Sequence, residues 1–347
     1  MPQMSIDEHT SKKISLLSLI AAILVVSIHA PVTRQSGSSM FFETFLSTYV
    51  ASVAVPFFFV VSGYLLAMKL GTTGGYSIEL RKRFRSLLLP YLFWCVAFTL
   101  LASLNSFAHN IILHDALMQN INVNPIKRFG LDLRSNPPLP LWYLRALMIY
   151  VLISPLFRLI VKRRTLTALV LLGLIAFDYT CRFFMPEWAG NMLTFDLAPC
   201  NLGAFLIGMH LSYYPVSISS KLGGPSLLLG LALCAILAAV KCEYFSLDSY
   251  YRTFLAWLAK LLVIIGAWQL CPPIELPNFL RRQSFPIYLL HAVFVPYALM
   301  AAQKFPALQE WWGFLINICI LTILSIATCH LLRTMAPKFS AYIFGGR

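Results

Sequence analysis

Long apolar runs separated by short polar stretches set the pattern of this chain. Ten runs stand out, over residues 14–30, 45–68, 86–104, 139–160, 166–184, 196–213, 225–241, 253–270, 285–302 and 312–333. Each is close to the roughly 20 apolar residues that a helix needs to cross a bilayer core. None shows the two-residue alternation of a membrane barrel strand, and backbone in lipid must satisfy its own hydrogen bonds, so the runs predict helices. The expected fold class is an all-α integral membrane protein, a polytopic bundle of about ten transmembrane helices. One transmembrane domain over 14–338 is expected, with residues 1–13 and 339–347 as short tails. Lys12 and Lys13 before the first run resemble the start of a signal peptide, but no A-x-A-like site follows, so a retained first helix is expected. No strong internal repeat of the secondary-transporter kind is visible.

Charge agrees with this pattern and adds an orientation. Charged residues make up 12% of the 347, about half the ~25% of soluble domains. The net charge of +14 comes from basic residues scattered between the runs, with no basic-aromatic patch, so a nucleic-acid partner is not expected. With the N-terminus inside, seventeen Lys and Arg fall on inner segments and eight on outer ones, which predicts cytoplasmic termini. The eight cysteines lack metal-ligand spacing, and no metal is expected; Cys181, Cys200 and Cys242 fall near one face, within reach of pairing. One outer loop, about 105–138, carries His109, His114, Asp115 and the turn Asn136-Pro137-Pro138; loops of that length are functional or disordered.

Against so apolar a background the few ionisable groups inside runs are candidate site residues. His29 closes the first run, ISLLSLIAAILVVSIHA. Arg145 lies one to two turns below the outer end of the fourth, LPLWYLRALMIY, beside Trp142 and Tyr143, which read as an interfacial belt. Asp178 and Arg182 form an i,i+4 pair on the fifth run, open to a local ion pair or a direct role. Asp196 opens the sixth, and Arg34 follows the first on the same outer side. The inner run Arg81-Lys82-Arg83-Arg85 suits anionic membrane lipid or the phosphates of a soluble cofactor. His291, in SFPIYLLHAVF, sits about two turns into the ninth run on the inner side, open to core hydrogen bonding or a functional contact. Pro56 and Ser62-Gly63, in VPFFFVVSGYLLA, read as a bend and a site of close helix packing.

The stretches VVSIHA, VPFFFVVSGYLL, RKRFRSLLLPYLFW, LWYLRALMIYVLISPL and SFPIYLLH, in this order, resemble the membrane-bound acyltransferase-3 family. The resemblance spans nearly the whole chain. It implies an integral-membrane enzyme, in a bacterial plasma (inner) membrane, that moves an acetyl or succinyl group from cytoplasmic acyl-CoA, with acetyl-CoA the expected donor. The implied acceptor is a hydroxyl of an extracytoplasmic glycan or lipid-linked glycan. The family's first-span histidine falls on His29, and the arginine of its LWFLR-like motif on Arg145. His29 is then a general base or a transient acyl carrier, and Arg145 stabilises an oxyanion or holds a carboxylate. Arg81, Arg85 and His291 become donor-binding candidates, and Asp178, Arg182, Asp196 and Arg34 acceptor-binding candidates. The chain departs from the family where many members read D-x-x-L-R ahead of the histidine, since Ser15 and Ser18 stand there. That departure keeps a non-catalytic transporter or binding module as the alternative.

Overall fold

The computed structural model describes residues 6–30, 37–70, 75–112, 140–184, 199–216 and 219–346. Nine helices among them are long and apolar enough to cross a membrane. The tenth expected crossing, 196–213, is described from Pro199 onward, as a helix of 15 residues. Most of the long loop at 105–138 lies outside the described residues.

α1 (Glu8–His29) starts at Asp7, whose carboxylate accepts the Thr10 backbone N–H at 2.8 Å. That bond holds the Asp7 carboxyl below its ordinary range, as an anion at a helix N-terminus should be held. The second crossing is not one uniform helix. It runs from α2 (Gly37–Glu43) through a π-helical turn, Thr44–Val50, and a 3₁₀ turn, Ala51–Val53, into α3 (Ala54–Leu70). Pro56 follows directly, where its missing N–H leaves a gap in the hydrogen-bond ladder, so the expected bend has a local cause. α4 (Gly75–Arg83) likewise reaches α5 (Leu89–Ile112) through a π-helical turn, Phe84–Leu88, just ahead of Pro90.

α6 (Trp142–Val161) contains Pro155, which strips the Val151 carbonyl of its helical partner. The Ser154 hydroxyl donates to that carbonyl at 2.7 Å and the Tyr76 hydroxyl at 3.4 Å. A proline is tolerated in a lipid-embedded helix when side chains satisfy the freed group in this way. Tyr76 also donates to Leu152 O at 2.7 Å, which ties α4 to α6. Leu152, Leu156 and Leu159 are exposed along one stripe of α6, an apolar face suited to lipid.

The remaining helices are α7 (Arg164–Phe184), α8 (Pro199–Tyr213), α9 (Gly223–Lys241), α10 (Ser249–Leu270), α11 (Asn278–Arg281), α12 (Ser284–Lys304), α13 (Trp311–Met335) and α14 (Pro337–Ile343). The main core gathers α3, α5, α6 and α8 around Phe59, Tyr150 and Phe205, all fully buried. α1, α12 and α13 share a second cluster through Ala22, Val26, Ile287 and Phe314. No disulfide joins Cys181, Cys200 and Cys242 among the described residues.

α3 and α8 meet backbone to backbone. A Cβ on Gly63 would lie 2.1 Å from Phe205 O, and one on Gly208 would lie 1.9 Å from Val60 O. In lipid there is no hydrophobic drive between helices, so such close approach supplies the association instead. Gly208→Ala is expected to cost about 3 kcal/mol, the upper end for overpacking, because backbone rather than a flexible side chain must yield. Thermal unfolding in detergent measures it, with Gly173→Ala as control, since nothing lies within 4 Å of a Cβ there. Equal melting temperatures would dispose of the backbone contact.

The C-terminal segment packs into the bundle. The Trp94 indole donates to Ile343 O at 3.1 Å, Phe344 is fully buried, and Phe93 packs on Phe339. Gly345, at φ +65°, lets the chain pass where a Cβ would lie 2.4 Å from Ser86 O.

Candidate active site

α1 and α12 bring His29 and His291 together. Their rings stack with centroids 5.3 Å apart and planes 20° from parallel. The sequence reading sets them on opposite sides of the membrane because it counts residues from each helix's own end. α1 begins beside the end of α10 and the residues after it, where Lys13 Nζ donates to Trp268 O at 3.1 Å and Lys12 lies 3.8 Å from Glu275. From Lys13 to His29 is about 24 Å along the axis, whereas His291 is only about 10 Å into α12. α12 therefore starts far up α1, and this stagger corrects the inner-side placement of His291. α12 also continues about 20 Å beyond His291, so the pair lies inside the bundle rather than at its outer rim.

His291 is fully buried. Its Nδ1 lies 3.0 Å from Ile287 O. A carbonyl only accepts, so Nδ1 carries the hydrogen, and in the neutral ring Nε2 holds the lone pair. That Nε2 is sealed from solvent and makes no hydrogen bond among the described residues. His29 is half-buried, at the end of its helix.

One turn before His291, the Tyr288 hydroxyl donates to Pro140 O, just ahead of α6. Tyr143, in the first turn of α6, packs its ring against Tyr288 at 5.6 Å and against Phe59 at 4.6 Å. Its hydroxyl meets that of Ser62 at 3.1 Å. Tyr143 is thus half-buried and packed against the main core, and Ser62 has a polar partner as well as its place beside Gly63. Two residues further, Arg145 carries Nε and Nη2 shielded from solvent, with the Tyr91 phenol of α5 within electrostatic range of its guanidinium. The chain of contacts from His29 through His291, Tyr288 and Tyr143 therefore ends two residues from Arg145.

The other candidate residues are placed differently. Asp178 is buried on α7, which packs against α6 and α8. The side chain of Arg182, and Asp196 and Arg34 altogether, lie outside the described residues. Within the basic run Arg81-Lys82-Arg83-Arg85, Arg83 is held by Glu79 at 2.9 Å, and both are largely buried. Arg81 and Arg85 remain exposed at and just after the end of α4. Ser15 donates to Ser11 O of its own helix at 2.9 Å. The cations of α1 are engaged too, Lys13 at Trp268 and Lys12 with Glu8 at 2.6 Å.

Tyr91 and Tyr288 were not singled out from the sequence. Tyr288 had a signal, since it stands three residues before His291 and so shares its helix face. Tyr91 had none, because its meeting with Arg145 joins two separate helices. Chemically, the layer offers two imidazoles for proton or acyl transfer, a guanidinium for developing negative charge, and phenols to line the approach. No group of three or more His, Cys, Asp or Glu among the described residues is placed to hold a metal.

Comparisons with known proteins bear on the family of the whole chain. The family model described as an acyltransferase domain matches residues 12–333. The succinoglycan biosynthesis protein ExoH of Rhizobium meliloti (strain 1021) is 24% identical, over 98% of this chain and 94% of its own. No solved structure matches the chain.

Proposed function

The chain belongs to the acyltransferase-3 family and is an acyltransferase; we propose that it is an integral-membrane O-acyltransferase moving an acetyl- or succinyl-class group from cytoplasmic acyl-CoA to a hydroxyl of an extracytoplasmic glycan. The glycan acceptor is supported by similarity to a protein named for succinoglycan biosynthesis, along the full length of both chains. Donor and acceptor would arrive from opposite faces, with both termini cytoplasmic, an orientation supported by the seventeen-to-eight bias of Lys and Arg.

The observation that carries this reading is the His29–His291 stack, joined through Tyr288 and Tyr143 to the first turns of the helix that carries Arg145. Burying imidazoles and a guanidinium among apolar helices costs stability, which a purely structural layer would not retain. His29 meets the acyl chemistry as the base that takes the hydroxyl proton or as the nucleophile that carries the acyl group. Arg145 faces the oxyanion that forms at the carbonyl. Arg81 and Arg85, exposed on the inner side, suit the phosphates of the donor.

Sealed membrane vesicles test donor, orientation and activity together. Inverted vesicles, with the cytoplasmic face outward, should release CoA thiol from added acetyl-CoA or succinyl-CoA above vesicles lacking the protein. Right-side-out vesicles should not, because the charged donor does not cross lipid. The reverse pattern would overturn the orientation, and silence in both would overturn the acyl-transfer reading.

A further inference from the structure

Resting on that reading, we propose that the two stacked histidines divide the reaction, His29 carrying the acyl group and His291 Nε2 accepting the proton of the acceptor hydroxyl. The division follows from the space around each ring. His291 is fully buried, with Nδ1 anchored on Ile287 O at 3.0 Å and Nε2 sealed from solvent. An acyl group of several heavy atoms has no room at that nitrogen. A proton passes along one hydrogen bond from a single oxygen, a far smaller demand than seating an acyl group, and the anchored tautomer leaves the lone pair on the nitrogen that must receive it. His29, stacked 5.3 Å away, is half-buried and ends its helix, so its ring edge has the room that an acyl group requires.

The burial of His291 needs this explanation. A phenylalanine would fill the same space and keep the stack without leaving a buried nitrogen unsatisfied, which costs stability. The nitrogen lies beside the residue that the sequence pattern places at the chemistry. A base oriented by a carbonyl at one ring nitrogen and free at the other is the arrangement that general-base catalysis uses.

The steps balance without any further reactant. The unprotonated nitrogen of His29 attacks the thioester carbonyl carbon; a C–N bond forms, the C–S bond breaks, and CoA leaves as thiolate. The acceptor hydroxyl oxygen then attacks the acyl carbon; a C–O bond forms, the C–N bond breaks, and His29 is restored. The departing CoA thiolate takes a proton from water to give the free thiol; in the second stage the hydroxyl proton goes to His291 Nε2, which returns it to water, so no net proton is consumed. This is a two-stage, ping-pong transfer.

The test uses the purified full chain and radiolabelled acetyl-CoA and succinyl-CoA, before and after cell-envelope glycan is added. His291→Phe keeps the stack and His291→Asn keeps a donor for Ile287 O, so at least one of the two should remain folded and monodisperse. Either should acquire close to one hydroxylamine-labile acyl group per chain, because the first stage survives. Transfer of that group to glycan should slow by at least about 10², the lower end for losing a general base. His29→Gln should acquire no label. A folded His291 variant that turns over like wild type, or that stays unlabelled, would overturn the division of roles while wild-type turnover leaves acyl transfer standing. Wild type that releases no CoA from either donor would overturn the acyl-transfer reading itself.

Discussion

His29→Ala should fold almost normally and lose acyl transfer by at least about 10², whether the imidazole serves as base or as acyl carrier. The change removes a half-buried side chain at the end of α1. What the fold loses is the stack on His291, worth about 1 kcal/mol. The neighbouring core of Ala22, Val26 and Phe314 does not depend on the imidazole. A large activity loss with a small stability loss is therefore the signature of a residue that does chemistry. The variant would be purified, shown monodisperse, and compared with wild type for acceptor-dependent CoA release and for melting temperature. Turnover near the wild-type rate in a well-folded sample would remove His29 from the mechanism. A collapse of stability with the activity would make it a packing residue instead.

Arg145 carries the second large effect. Arg145→Ala should lower kcat by about 10² to 10³, the range for removing one donor to an oxyanion. Arg145→Lys should recover only a small part of this. Lysine keeps the charge but loses the planar fork, and a shorter list of donors must then serve a position where Nε and Nη2 are both shielded from solvent. A change confined to KM would show uniform binding of donor or acceptor rather than stabilisation of the transition state. Full activity in Arg145→Lys would reduce the residue to a charge anchor beside Tyr91. The readout is kcat and KM for CoA release with each variant, alongside unfolding in detergent to confirm that both remain folded.

The crossings were legible in the sequence because lipid makes helix formation a local matter. Each run must satisfy its own backbone, so about 20 apolar residues are enough to define a helix. Gly63 was legible for a related reason: a small residue in an apolar run marks a place where helices approach, and its contact with Phe205 O bears that out. Local repairs were not legible. Nothing in the order of residues showed that Tyr76 would reach the carbonyl freed by Pro155, or that the end of the chain would bury Phe344 against Trp94.

The site divides in the same way. The sequence by itself determined that His29 and Arg145 are polar groups in apolar helices, and the order of the motifs around them determined the family. Only the tertiary structure decided that His291 belongs beside His29 and that Tyr143 faces Ser62 and Tyr288. Hydropathy measures position along one helix from that helix's own end. It carries no information about how far one helix is shifted along the next, and that shift is fixed by packing between α1, α12 and α13 around Ala22, Ile287 and Phe314. A stagger of a few helical turns moved His291 from the inner side to the histidine pair, and the chemistry proposed for the site depends on it.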